Sequence, residues 1–402
     1  MKVVEGVVGP ASGPGGRAPS ATVPATVASA PGSVASVPTF GAGELVVDLD
    51  ALAANYAVLQ ARQPDARIAG VVKADAYGLG AGRVAKTLYG AGCRDFFVAH
   101  LCEALDLAAE MPATARIHVL NGLAPGAEGA AAAAAVIPVL NSLDQVARWE
   151  EEARRRHTRL PAAVQIDSGM ARLGLAAEEV AVLAADPAWQ EAIEVVLVMS
   201  HLACADEPEA PANLRQFERF RDLADRLPAA PRALANSGGA FLPGFGLDLV
   251  RPGIALYGVD PVDDRGSPLK PVVSLAAPVI QLRDVPAGTG VGYGLAHVTR
   301  APRRLATIGV GYADGWPRAL SDRGAVYAGG IRLPIVGRVS MDSTIVDASA
   351  LAPGLLRPGD RVELVGPHQS LADVARDAGT IAYEILTGLG RRFERHYRGP
   401  MR

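Results

Sequence analysis

Lys73 lies in Val71-Val72-Lys73-Ala74-Asp75-Ala76-Tyr77-Gly78-Leu79-Gly80, where an apolar run ends and a glycine-punctuated turn opens. A lysine at the mouth of a parallel barrel is partly desolvated. Desolvation disfavours the ammonium form and leaves an amine able to form a Schiff base with a carbonyl. Tyr77, four residues on, adds a phenolic donor. Farther along, Arg172 follows Asp167-Ser168-Gly169-Met170-Ala171, His201 stands in Ser200-His201-Leu202-Ala203, Asn236 and Ser237 open an Asn-Ser-Gly-Gly turn, and Arg251 precedes Pro252-Gly253-Ile254. Tyr293 sits among glycines in Gly290-Val291-Gly292-Tyr293-Gly294. Each has a plainer reading: a surface lysine, a structurally satisfied histidine, an arginine in a surface ion pair, a loop.

What separates the two readings is where the elements place these groups. Glu44 to Asp48 reads as a short strand, and Asp48 can cap a helix carrying Leu49, Leu52, Tyr56 and Leu59 on one face. Short apolar runs then alternate with helix-length segments: 68–73, 96–99, 117–120, 137–140, 163–167, 195–199, 232–235 and 250–257. This is the order of a (β/α)8 TIM-type barrel, in which functional groups gather at the C-terminal ends of the strands. Lys73, Asp167 with Arg172, His201, Asn236 with Ser237, and the turn Arg251 to Ile254 all sit at or just after such ends.

After Tyr257 the grammar changes. Pro261, Asp263, Asp264 and Gly266 form a linker, and strand candidates follow without regular helices between them: 272–282, 305–311, 325–327, 331–336, 343–347 and 361–365. Two closing helices are expected at 370–377 and 380–389, with Ser370 and Thr380 as caps. The expected organisation is a tail at 1–43, a barrel at 44–268, and a smaller, mostly β C-terminal domain at 269–402.

A net charge of −3 gives no general reason to bind nucleic acid or an anionic membrane. Residues 18–43 are uncharged but broken by Pro19, Pro24, Pro31 and Pro38, which argues against a membrane span and for a disordered, low-complexity tail. Cys93, Cys102 and Cys204 lack CxxC spacing, so neither a disulfide framework nor a zinc site is indicated, and a cytoplasmic setting is expected.

The decapeptide around Lys73 resembles the pyridoxal-phosphate lysine motif of bacterial alanine racemases, and the later motifs match that family in the same order, from about Glu44 to Tyr397. The resemblance implies that pyridoxal 5'-phosphate is the cofactor and Lys73 its Schiff-base lysine, acting as base on one face of the reacting carbon. Tyr293 then acts on the other, with His201 and Arg251 available to stabilise its phenolate. Arg251 is implied to face the pyridine nitrogen. A guanidinium only donates, which weakens the electron sink and disfavours transamination.

Tyr77, Ser237, the Gly253 and Ile254 amides and Tyr383 match the phosphate cradle, with Asn236 beside them. Arg172 and the backbone of Met341 match the substrate-carboxylate site, while Tyr312 and Tyr383 would restrict the substrate side chain to the size of a methyl. Two positions depart from the family: Gln165 stands where many members carry a carbamylated lysine, and Ser340 where cysteine is common.

The implied activity is interconversion of L- and D-alanine, the D-isomer serving peptidoglycan, by a homodimer in which Tyr293 acts in trans. A broader racemase for serine, lysine or other amino acids is the alternative; a decarboxylase of related fold and a barrel that only carries the cofactor are further rivals.

Overall fold

The computed structural model describes residues 43–262 and 266–399. Apart from Gly43, the tail expected at 1–43 lies outside the described residues, as does 263–265 of the linker.

Strand β1 (Glu44–Asp48) leads into the helix Leu49–Arg62, and the Asp48 carboxylate accepts from the Ala51 amide at 2.7 Å as the cap. The barrel strands are β2 (Arg67–Ile68), β3 (Gly70–Val71), β4 (Asp95–Val98), β5 (Arg116–Val119), β6 (Ile137–Leu140), β7 (Leu160–Gln165), β8 (Ile193–Met199), β9 (Arg232–Ala233) and β10 (Leu249–Val250). β3 to β9 form one parallel sheet in chain order, and β10 pairs with β2. Backbone bonds close the ring: Asp248 donates to Arg232 and Arg251 to Ala235, while Ala69 donates to Val250. β2 and β3 thus act as one first strand interrupted at Ala69, completing eight barrel positions.

The strand expected at 250–257 is overturned beyond Val250. Pro252 cannot donate to a ladder, and residues 253–257 curl into turns in which Leu256 donates to Gly253 and Tyr257 to Ile254. That turn places Gly253 and Ile254 at the barrel mouth.

The second segment comprises β11 (Val273–Val285), β12 (Gly290–Val291), β13 (His297–Val298), β14 (Arg303–Ile308), β15 (Ala325–Ala328), β16 (Ile331–Pro334), β17 (Thr344–Asp347), β18 (Arg361–Val365) and β19 (Glu394–Arg398). β1 is hydrogen-bonded into this sheet, antiparallel to β11 and parallel to β19. The first strand of the segment 44–268 therefore sits in the sheet of the β domain and ties the two segments together. Of the closing helices, Leu371–Ala378 has its Ser370 cap. The other starts at Ala382 without a side-chain cap, because the Thr380 hydroxyl bonds the Glu384 carboxylate instead.

At the N-terminal end of the barrel, buried Asp95 accepts from Arg67 (2.9 Å), Arg116 (2.6 Å) and His118 (3.2 Å). These bonds outweigh burial and hold its carboxyl below the ordinary range, while burial lowers the pKa of His118 and keeps its imidazole neutral. Both shifts have the same sign for stability. The unfolded chain takes up protons on these groups below about 6.5 and 3.9, where the folded chain does not, so stability is lost as pH falls. The melting temperature is expected to drop between about pH 7 and 3, and Asp95→Asn to cost about 1–3 kcal/mol while flattening the acid end. Thermal melts across pH check this, and a flat profile for the parent chain contradicts it.

Candidate active site

Lys73 opens a short turn, Lys73–Gly78, directly after β3 and Val72. Ala74, Asp75, Ala76 and Tyr77 all have φ between 53° and 58°, so the chain makes a left-handed helical turn of four non-glycine residues. L-residues enter that region at roughly 1–2 kcal/mol each, and the surroundings hold them there. Ala76 donates to Val72 and Gly80 to Asp75, and the Ala74 amide donates to Glu103. From the β domain, the Tyr397 hydroxyl donates to the Leu79 carbonyl at 2.9 Å.

The turn delivers Lys73 into a cavity of ≈ 260 Å³ at the C-terminal end of the barrel. Tyr77, Arg172, His201, Asn236, Ser237, Arg251, Gly253 and Tyr383 line it with Lys73, joined by Asn121 and Gln165. Arg172 and Arg251 bring two guanidinium groups to it beside the Lys73 amine, and among the described residues no aspartate or glutamate lines it. Burial first, then the Arg172 charge, lowers the Lys73 pKa against an opposing pull from Glu103, which shifts the balance toward the neutral amine. Burial first, then Arg251, Arg172 and Lys73, pushes His201 down to about 3, which leaves a neutral imidazole.

Arg251 is 4 % exposed and makes no carboxylate ion pair among the described residues, which removes the surface-pair reading. Its Nη2 donates to the Ser200 carbonyl at 2.5 Å, while its Nη1 is buried without a partner among the described residues. An orphaned guanidinium nitrogen on a cationic cavity needs an acceptor from a ligand. Burial lowers its pKa to about 9, which still leaves it protonated at neutral pH.

Beside it, the Ser237 hydroxyl accepts from the Gly253 and Ala255 amides at 2.8 and 3.3 Å. A Cβ at Gly253 would overlap the Tyr77 hydroxyl, so only glycine lets the Tyr77 phenol and this backbone approach so closely. Tyr77 packs on Tyr257 (4.8 Å between centroids) and Tyr383 (6.0 Å). Burial holds the Tyr383 phenol protonated, with its pKa near 12, and raises that of Tyr77 further. Two protonated phenols, a serine hydroxyl and a glycine backbone form a cradle suited to a phosphate. Ile254 is fully buried, and the Asn236 amide nitrogen lies 3.5 Å from His201 Nε2 and 3.2 Å from the Leu202 carbonyl.

Tyr293, Tyr312 and Met341 do not line the cavity of their own chain. Tyr293 caps the β12–β13 hairpin between Gly292 (φ 69°) and Gly294 (φ 70°) and is 70 % exposed. The segments carrying Tyr312 and Met341 are joined by backbone bonds from Tyr312 to Ser340 (3.0 Å) and from Ala313 to Met341 (3.0 Å). All three side chains stand exposed on the β domain, with Leu295 also exposed.

Residues 47–261 match the family model described as alanine racemase, N-terminal domain, and residues 272–397 match the C-terminal domain of the same family. The chain belongs to the alanine racemase family. It is 55 % identical over 359 residues to the catabolic alanine racemase of Agrobacterium fabrum, covering 89 % of this chain and 92 % of that one. It is 51 % identical over 369 residues to the alanine racemase of Brucella canis, covering 88 % and 93 %. Among solved structures, it superposes on alanine racemase from Bartonella henselae with covalently bound pyridoxal phosphate. There the TM-score is 0.86 and the identity 46 %, covering 89 % of this chain and 99 % of that one. The barrel followed by a mostly β domain is thus the architecture of solved alanine racemases.

Within this family frame, Gln165 reaches the cavity as Arg172 does, but no hydrogen bond joins them among the described residues. Four residues at the site escaped the motif reading. Glu103 holds the lysine turn, and a glutamate three residues after the N-cap His100 is the signal that could have found it. Gln216 accepts from Ala203 at 2.8 Å and donates to the His201 carbonyl at 3.0 Å, fixing the histidine segment. Asn121 lines the cavity and lies in no distinctive motif, whereas Tyr257, which donates to Val71, lies in the Arg251 motif but was given no role there.

Proposed function

We propose that this chain is an alanine racemase that interconverts L- and D-alanine with pyridoxal phosphate. The observation that carries the reading is the cavity that brings the Lys73 amine to two guanidinium groups, with no carboxylate lining it among the described residues and an unpartnered Arg251 nitrogen, in a chain of this family. Lys73 would hold the cofactor carbonyl, Arg251 with neutral His201 and Asn236 would face the ring side, and Tyr77, Ser237, Gly253, Ile254 and Tyr383 would hold the phosphate. Bound there, the cofactor supplies a conjugated ring that takes up the electron pair released when Cα–H breaks. Arg172 would grip the substrate carboxylate.

The Lys73 amine exchanges a proton with Cα on one face. Tyr293 of the partner subunit does so on the other, with Tyr312 of the partner subunit narrowing the entrance and the backbone amide of the partner subunit's Met341 completing the carboxylate contact. The support for this homodimer is that these residues, with Leu295, are exposed on the β domain and absent from their own chain's cavity.

Enantiomers have equal free energy in water, so the site drives neither direction. Supply for peptidoglycan and breakdown of D-alanine are both open to it, and cellular concentrations decide between them. We place the enzyme in the cytoplasm, where its three free cysteines stay reduced. No helix among the described residues is long and apolar enough to cross a membrane.

Full-length protein with pyridoxal phosphate should take the optical rotation of L-alanine to zero; unchanged rotation overturns the proposal. Tyr383 lines the cavity and limits the substrate side chain. Tyr383→Ala is expected to raise the serine-to-alanine ratio of kcat/KM by about tenfold, checked by a panel of L-amino acids. A parent chain that already racemises serine or lysine as fast as alanine makes it the broader racemase.

A further inference from the structure

One side chain from outside the left-handed turn bonds the residue that directly follows Lys73. Glu103, on the helix Leu101–Glu110, is an acceptor for three backbone amides: Ala74 at 2.5 Å through Oε1, and Ala99 at 2.8 Å and His100 at 3.0 Å through Oε2. Ala99 and His100 directly follow β4, and Ala74 directly follows Lys73. The carboxylate therefore staples the end of the second barrel strand to the residue next to the lysine. Each oxygen has its own amide partner, so both must accept. A glutamine has one accepting oxygen and one donating nitrogen, and that nitrogen would meet an amide N–H.

We propose that Glu103 is a positioning residue that holds the left-handed turn and so presents the Lys73 amine to the cavity. Without the staple, Ala74 loses the partner that offsets its unfavourable φ of 53°, and the turn relaxes toward the right-handed region that L-residues prefer. Lys73 would then lie off the line of approach to a carbonyl held by Arg251 and the Gly253 turn. The carboxylate also acts through space, since its charge supports the protonated amine.

The inference rests on Lys73 being the cofactor lysine, and the test separates the two. Full-length parent and Glu103→Gln are stripped of cofactor, and two quantities are measured with melting temperature alongside: the rate of pyridoxal phosphate uptake, and the pH midpoint for acetylation of Lys73 by acetic anhydride, read by peptide mass spectrometry. A parent that takes up no pyridoxal phosphate sinks the functional reading, while the rate of Lys73 acetylation at a pH above both midpoints, where access and not charge sets it, still tests Glu103: a rate equal to the parent's in Glu103→Gln overturns the positioning role. Glu103→Gln is expected to slow uptake by about tenfold and to move the midpoint to lower pH.

Adding Ala74→Gly to Glu103→Gln separates positioning from general support, because glycine adopts φ near 53° without the Cβ penalty. The double variant should recover uptake but keep the lowered midpoint, since the charge is still absent. Uptake by Glu103→Gln within twofold of the parent overturns the proposal, whatever the midpoint does. So does a loss of uptake that Ala74→Gly leaves uncorrected.

Discussion

Lys73→Ala is expected to abolish racemisation of alanine, lowering kcat/KM by about 10⁴-fold or more, while the melting temperature stays near that of the parent. One side chain is asked for two tasks, holding the cofactor carbonyl and moving a proton at Cα, and both vanish together. The environment explains why this lysine suits them. Burial and Arg172 favour its neutral form, and the turn that carries it is pinned by Glu103 and Tyr397 rather than left to relax. The fold should tolerate the change, because Lys73 is half-buried at a cavity and none of the hydrogen bonds that hold its turn uses its ammonium group. Turnover of L-alanine within tenfold of the parent would remove Lys73 from the mechanism.

Tyr293→Phe carries the second large effect. It keeps the ring and deletes only the phenolic oxygen, so a loss of about 10²–10⁴ in racemisation is expected for an acid/base group. The two directions must fall together in kcat/KM, because the equilibrium between enantiomers is fixed by symmetry. The asymmetry appears instead in isotope exchange. In deuterium oxide the Lys73 face still exchanges its proton, so one enantiomer should acquire α-deuterium without inversion while the other stays unlabelled. Racemisation and labelling of both enantiomers at parent rates would show that Tyr293 moves no proton.

The barrel was legible because buried parallel strands are short apolar runs, and the residues after them form a series that points to one face. Lys73, His201 and Arg251 were therefore found from their positions, and they do share a cavity. Long-range pairing was not legible. Nothing in Glu44–Asp48 says that its partners are Val273–Val285 and Glu394–Arg398 rather than a barrel strand. The Val250–Tyr257 run was over-read as strand because its apolar content hid the effect of Pro252 and Gly253. The β12–β13 hairpin was under-read, since Gly290, Gly292 and Gly294 mask a two-residue ladder. Glu103 was missed because a carboxylate that binds only backbone amides leaves no charge partner in the sequence.

The two proton-moving groups of each site come from different chains in the proposed dimer, and a hybrid of two inactive chains tests this. Co-expressed Lys73→Ala and Tyr293→Ala chains, each inactive alone, form hybrids in which one site pairs an intact Lys73 with an intact Tyr293 if the tyrosine acts in trans. Random assembly then returns about a quarter of the parent activity. If the tyrosine acts within its own chain, every site carries a lesion, and a hybrid pool as inactive as its two parents would contradict the shared site.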